Sequence, residues 1–247
     1  MALIGVNILD LHLAVVAGRP AADGSAFDLA SPVFFGTAFP VLPGVFVTAA
    51  HVVNAAQATG GSLALFRSGP GEPVRPMPIQ MVDDVEVFEG LDLALLKCNG
   101  HAHLLPIPPL FEPLEVLQPV TCVGFAVGVD AEYQTYVHRA FAGHVVTRRE
   151  LYHMKPDQPP GYELSFVTPP GLSGAPLVIH TSEGAFFAGY IVHWWRTELE
   201  GAEYRFGVAV ASDVLLSVES RIVGGPLAIA LGDRPRPLRP PTSPVGR

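Results

Sequence analysis

Three side chains of this 247-residue chain stand where their types could cooperate in chemistry. His51 ends the apolar run VFVTAA and is followed by Val52 and Val53, with the small residues Ala49 and Ala50 before it leaving room for a tight change of direction. Asp92 opens LDLALLK, where a carboxylate beside a buried segment needs donors and a histidine N–H would supply one. Ser173 lies in PPGLSGAP, between Gly171 and Gly174, where the backbone can adopt demanding dihedrals and turn amide N–H groups toward an external oxygen. Each stretch also has a plainer reading. A lone histidine caps strands, a lone aspartate ends them, and Gly, Ser and Pro populate surface turns. Together the three residues form a general base, an orienting carboxylate and a nucleophile.

Cys98, His101 and His103 make a second cluster, C-x-x-H-x-H, in which a fourth zinc ligand at suitable spacing is missing, so no metal and no cofactor is expected. His12, His138, His144, His153 and His180 read as surface or strand residues. With Cys98 and Cys122 the only cysteines, a disulfide framework is excluded and a reducing, cytoplasmic setting is expected. No basic residue precedes Arg19, and Asn7, Asp10 and His12 break the first apolar run, which argues against a secretory signal. A formal charge of −8 gives no reason to expect nucleic acid or an anionic membrane surface as partner.

The elements that must position these residues are short. Half the chain (49%) is hydrophobic and 15% charged, enough to build a core, while 25 Gly and 25 Pro favour frequent turns over long helices. Residues 29–66 hold no charged side chain, yet seven Gly and Pro interrupt them, which fits buried strands and not a membrane helix. An all-β protein is expected. Strands are expected at Leu9 to Ala17, VFFGTAF, VFVTAA, Gly61 to Arg67, Met77 to Val82 and Asp92 to Lys97, making a front unit over 1–98. Five prolines between Asn99 and Pro119 mark an inter-domain linker over 99–118. VTCVGFAVGV, a strand pair around Tyr133 to Thr147, YELSFVT, APLVIH, AFFAGYIVHWW and EYRFGVAV follow as the short strands of a back unit. That unit, over 119–222, ends in a short helix between Ala211 and Ile222, and 223–247 reads as a Pro/Arg-rich tail.

The GTAF…VFVTAAHVV, DLALLK and GLSGAP stretches, in the order His, Asp, Ser, resemble the chymotrypsin-like serine proteases, especially the trypsin-like and HtrA-like members. The likeness of layout runs from about residue 9 to residue 222. It implies two antiparallel six-stranded β-barrels with the active site between them. His51, Asp92 and Ser173 would be the catalytic triad, and the N–H groups of Gly171 and Ser173 the oxyanion hole. The implied activity is peptide-bond hydrolysis through an acyl-enzyme. Where digestive relatives carry an aspartate before the serine, this chain has Leu172, so activation by an ion pair to a new amino terminus is not expected.

Thr168 and His193 also resemble the specificity residues of glutamyl endopeptidases. With Arg196 nearby they imply a substrate-binding pocket for Glu, and less readily Asp, before the scissile bond. A shift of register by one residue would instead leave an apolar pocket. Polypeptide substrates, and a regulatory or activating protein, are the expected partners. The alternatives are a catalytically inactive protease-fold module that recognises a protein, and a protease that trims its own carboxyl tail.

Overall fold

The structure, a computed structural model, describes residues 13–18, 33–66, 79–126, 137–148, 159–199 and 201–232. Its organising strand is β3 (Val45–Ala49), buried at all five positions, as the uncharged sequence VFVTA demands. It pairs antiparallel with β2 (Val33–Leu42) on one side and with β7 (Leu93–Lys97) on the other. Around this centre the front sheet runs β5-β4-β1-β2-β3-β7-β6. Its remaining members are β1 (Leu13–Gly18), β4 (Ser62–Phe66), β5 (Ile79–Met81) and β6 (Asp84–Phe88).

The back half is a closed ring of six antiparallel strands in the order β10-β13-β12-β11-β8-β9. These are β8 (Pro119–Ala126), β9 (Val137–Arg148), β10 (Gly161–Leu164), β11 (Pro176–Thr181), β12 (Gly184–Leu199) and β13 (Ala202–Ala211). The expected all-β, two-unit architecture is thus present; where a strand pair was expected around Tyr133 to Thr147, the described residues form the single strand β9, and the other strands expected in the back unit form. Leu9 to His12, Tyr133 and the last fifteen residues lie outside the described residues, as do His12 and His153.

Three differences from the sequence reading have local causes. The front sheet has seven strands where six were expected, because DVEVF forms β6 beside β7, one residue on each strand facing one on the other. Its alternating acidic residues disguise a strand that is half-buried throughout. Directly after β3, where only a tight change of direction was expected, the chain forms helix α1 (Ala50–Ala58). Four of its nine residues are alanine, the best helix former, and Val52, Val53 and Ala56 are buried on one face.

At the far end, the expected helix is a 3-10 turn over Ser212–Ser217. The chain beyond it stays on the body: β14 (Glu219–Ser220) pairs with β15 (Gly225–Pro226), and Leu227 of the short α2 (Leu227–Ala230) is fully buried.

The two halves share one core. Phe39, Val41, Val47, Leu93 and Leu95 from the front pack with Phe187, Tyr190, Val208 and Leu215 from the back, and the rings of Phe39 and Phe187 meet edge to face at 5.1 Å. Separate clusters fill the interior of each half. The shared one fixes how the halves sit, and therefore how residues from each approach the other. Among the described residues no helix is long and apolar enough to cross a membrane.

Candidate active site

His51 is the second residue of α1, so the strand-to-helix junction at Ala49–Ala50 places its ring. Both alanines are buried to within 1% exposure, and a larger side chain at either would push the helix off the sheet. Asp92 meets it from the loop before β7. There a 3-10 turn (Glu89–Leu91) ends with Asp92 in the left-handed region at φ 48° and ψ 40°, a conformation aspartate tolerates better than most residues.

The loop is held from three sides. The Asp92 carbonyl accepts the Ala50 N–H at 3.0 Å, its carboxylate accepts the His51 backbone N–H at 3.0 Å, and Tyr190 Oη donates to the Leu91 carbonyl at 2.8 Å. Tyr190 is wholly buried, and burial, followed by the negative charge of Asp92, raises its phenol well above the ordinary value.

His51 Nδ1 lies 2.8 Å from Asp92 Oδ2 and 3.1 Å from Oδ1. An ionised carboxylate only accepts, so Nδ1 carries the proton and Nε2 keeps its lone pair. The pair is half open to solvent, with the two side chains 48% and 31% exposed.

Ser173 comes from the back half on the turn between β10 and β11. Gly171, at φ 94°, closes a turn in which the Leu172 N–H returns to the Pro169 carbonyl at 3.3 Å. The Gly174 N–H then donates to the Ile191 carbonyl at 2.7 Å, and the Ile191 N–H to the Ala175 carbonyl at 2.8 Å, joining the serine turn to β12. Leu172 is fully buried in the core of the back ring, an apolar anchor at the position expected to lack an ion pair.

The same turn is docked on the front half. The Thr37 N–H donates to the Ser173 carbonyl at 2.8 Å, and Gly174, at φ 83°, sits so near β3 that a Cβ there would lie 2.4 Å from Thr48 Oγ1 and 3.0 Å from the Ala49 nitrogen. The serine turn therefore abuts the strand end that leads into His51. The Ser173 hydroxyl donates to the Val192 carbonyl at 3.2 Å. The N–H groups of Gly171 and Ser173 are not engaged by any described residue.

The chain belongs to the trypsin-like peptidase domain family. The family model matches residues 36–188, a span that contains His51, Asp92 and Ser173. A crystal structure of a serine-to-alanine mutant of Rv3671c from M. tuberculosis, in its inactive form, is similar in fold. It shares 17% identity over 84% of each chain, with a TM-score of 0.54. No curated protein sequence matches. The fold is chymotrypsin-like, and membership of a peptidase family makes polypeptides the substrate class.

Of the residues expected to line a specificity pocket, two lie together and one lies apart. Thr168 is buried, and its hydroxyl donates to the backbone carbonyl of His193 at 3.0 Å, while the His193 side chain is exposed. Thr168 therefore offers a lone pair, not a proton, to anything bound there. Arg196 lies farther out on the β12–β13 hairpin, with Nη1 3.7 Å from Glu203 Oε2.

The Cys98 thiol donates to the Met81 carbonyl at 3.4 Å, and burial pushes its pKa up to about 11. His101 is buried with Nε2 3.3 Å from the Leu65 carbonyl, and among the described residues no group of three His, Cys, Asp or Glu could hold a metal. His144 and His180 are exposed, the latter 3.2 Å from Thr121 Oγ1. The sequence reading passed over Thr37 and Tyr190. Their one signal was a polar atom inside an apolar strand, which must find a partner when buried.

Proposed function

We propose that this trypsin-like peptidase domain is a serine endopeptidase with Ser173 as nucleophile, His51 as general base and acid, and Asp92 as the group that fixes the imidazole tautomer. The observation that carries the reading is the docking of the Ser173 turn, through its own carbonyl, beside the strand that delivers the paired His51.

In the resting arrangement the serine proton points to the Val192 carbonyl. Rotation about χ1 turns it toward His51 Nε2, which takes it as Oγ attacks the scissile carbonyl and then passes it to the leaving amine. Asp92 stabilises the imidazolium between the two transfers. The unengaged N–H groups of Gly171 and Ser173 are the donors available to the developing oxyanion, each worth about 3 to 4 kcal/mol of barrier. Water then releases the acyl-enzyme with His51 again as base. No step needs a cofactor.

An acidic residue before the scissile bond remains our proposed preference. It is supported by the placement of Thr168 against His193, whose backbone carbonyl accepts the Thr168 hydroxyl. The reducing, cytoplasmic setting is supported by two free buried thiols, Cys98 and Cys122, both raised in pKa by burial. Half-exposure of the His51–Asp92 pair supports control by narrow specificity or by an activating protein, because nothing described covers it.

Wild-type protein is expected to label at Ser173 with a fluorophosphonate probe and to cut a peptide library after Glu more than after Asp. Ser173→Ala and His51→Ala should each lose turnover about 10⁴-fold or more, with little further loss when combined. Parent-rate cleavage by Ser173→Ala would overturn the mechanism. Cleavage sites dominated by aliphatic residues would overturn the acidic preference. Absence of labelling and cleavage, with candidate activators present, would leave the inactive binding module as the reading.

A further inference from the structure

Thr37 is fully buried in β2, yet every polar atom it owns is used, and its bonds reach the serine turn, β8 and β3. Its N–H donates to the Ser173 carbonyl at 2.8 Å. Its hydroxyl donates to the Gly171 carbonyl at 2.9 Å and accepts the Phe125 N–H of β8 at 3.0 Å. Its own carbonyl accepts the Thr48 hydroxyl from β3 at 2.8 Å. One residue of the front half thus grips both carbonyls that flank Leu172 in the serine turn, while it is braced against the back ring and the neighbouring strand.

We propose that Thr37 is a positioning residue for the oxyanion hole: by holding the Gly171 and Ser173 carbonyls on its own side, it keeps the N–H groups of those two residues free and aimed at the reacting carbonyl. The inference deepens the serine endopeptidase reading and rests on it. The physical reason is that a glycine-rich turn has several accessible backbone states, and a peptide unit is harder to flip when the units beside it are tied. The tied units, Gly171–Leu172 and Ser173–Gly174, stand on either side of the unit that carries the Ser173 N–H, and the first adjoins the unit that carries the Gly171 N–H. Within the turn the Ala175 N–H also holds the Leu172 carbonyl at 2.8 Å, while the Leu172 N–H reaches the Pro169 carbonyl at a long 3.3 Å, so the unit beside Gly171 depends most on the Thr37 hydroxyl. The hydroxyl also has a defined proton. Phe125 N–H fills a lone pair, so the O–H is directed at Gly171.

Thr37→Val keeps the shape and removes the hydroxyl, whereas Thr37→Ser keeps the hydroxyl. Thr37→Val should lower kcat about 10- to 100-fold with KM within about twofold, less than outright loss of an oxyanion donor. It should weaken a peptide boronate by the same factor and leave a product peptide unchanged, because only the former fills the oxyanion site. Thr37→Ser should restore kcat.

Ser212→Ala serves as the structural control. It deletes another buried hydroxyl, bonded to the Leu110 carbonyl of the inter-barrel segment, and should lower stability without changing kcat. If Thr37→Val does not fold, Thr37→Cys, with its weak donor, is expected to show the same kcat loss.

A folded Thr37→Val with wild-type kcat, or kcat losses in Thr37→Val and Ser212→Ala that track stability alike, would overturn the proposal. The backbone amide resonances of Gly171 and Ser173 give a readout without turnover. They should move or broaden in Thr37→Val and not in Ser212→Ala, and unmoved resonances would overturn the inference even if the chain proved inactive. Wild-type protein without activity would count against the endopeptidase reading, whereas active wild type with an indifferent Thr37 counts against this inference alone.

Discussion

Leu172 stands beside Ser173 where a charged residue would have to be neutralised, and its complete burial makes the serine turn dependent on apolar packing for its place. Gly124 records how tight that packing is, for a Cβ there would lie 2.9 Å from Leu172 Cδ2. Leu172→Ala should therefore destabilise the protein by about 2 to 5 kcal/mol, the usual range for a cavity that cannot collapse. At a temperature where the variant is still folded, its kcat should fall more than its KM rises, since the loosened turn carries both Ser173 and Gly171. Thermal unfolding and steady-state kinetics on the same sample check both parts. An unchanged Tm would mean the turn is held by its hydrogen bonds alone.

At the scale of elements, the segment after the 3-10 turn acts as a clasp between the halves. Ser220 Oγ and the N–H groups of Arg221 and Ile222 converge on the Glu86 carboxylate of β6, at 2.7 to 3.3 Å, while the Arg221 guanidinium bonds both oxygens of Asp84. Partial burial alone would raise the pKa of Glu86, but the three donors outweigh it and the net shift is downward; the bond from Arg221 lowers that of Asp84. A carboxylate whose pKa is depressed on folding adds stability above its unfolded value and loses it as pH falls through the folded one. Glu86→Gln should thus cost about 1 kcal/mol at neutral pH, and the gap from wild type should close below about pH 4. Denaturant titrations at about pH 7 and about pH 3 test this, and a gap that does not change with pH would show that the charge contributes nothing. This clasp also marks where the sequence stops being legible. Apolar alternation and turn residues located the back strands, and residue types with their spacing singled out His51, Asp92 and Ser173 as candidates, because those signals are local. Strand β6 was hidden because its Glu86 is satisfied by Ser220 and Arg221, more than 130 positions away, and the segment 223–232 because its apolar residues Val223, Leu227 and Leu231 pack on a core built from distant strands. For the same reason Thr37, bonded to Gly171 across 134 positions, could not be read from its neighbours.

Over the whole molecule, the site exists only where two halves meet, so its integrity depends on their folding together. Three kinds of contact join them: the shared core around Phe39 and Phe187, the bonds of Thr37 and Tyr190, and the clasp on Glu86. Each reaches from one half into the other, and none can survive if either half melts alone. The chain supplies its own probes for this. Its two tryptophans, Trp194 and Trp195, both lie on β12 of the back ring, whereas its one α-helix of more than four residues among the described residues, α1, belongs to the front. Tryptophan emission follows the back half and the 222 nm ellipticity is weighted toward the front. Unfolding curves from the two signals in urea should coincide within error, as a single cooperative transition requires. Tyr190→Phe, which removes the bond to Leu91 without touching either probe, should shift both midpoints by the same amount, for a loss of about 1 kcal/mol. Separate midpoints in wild type would mean that the halves fold independently, and that the groove carrying His51 and Ser173 is assembled by docking after folding.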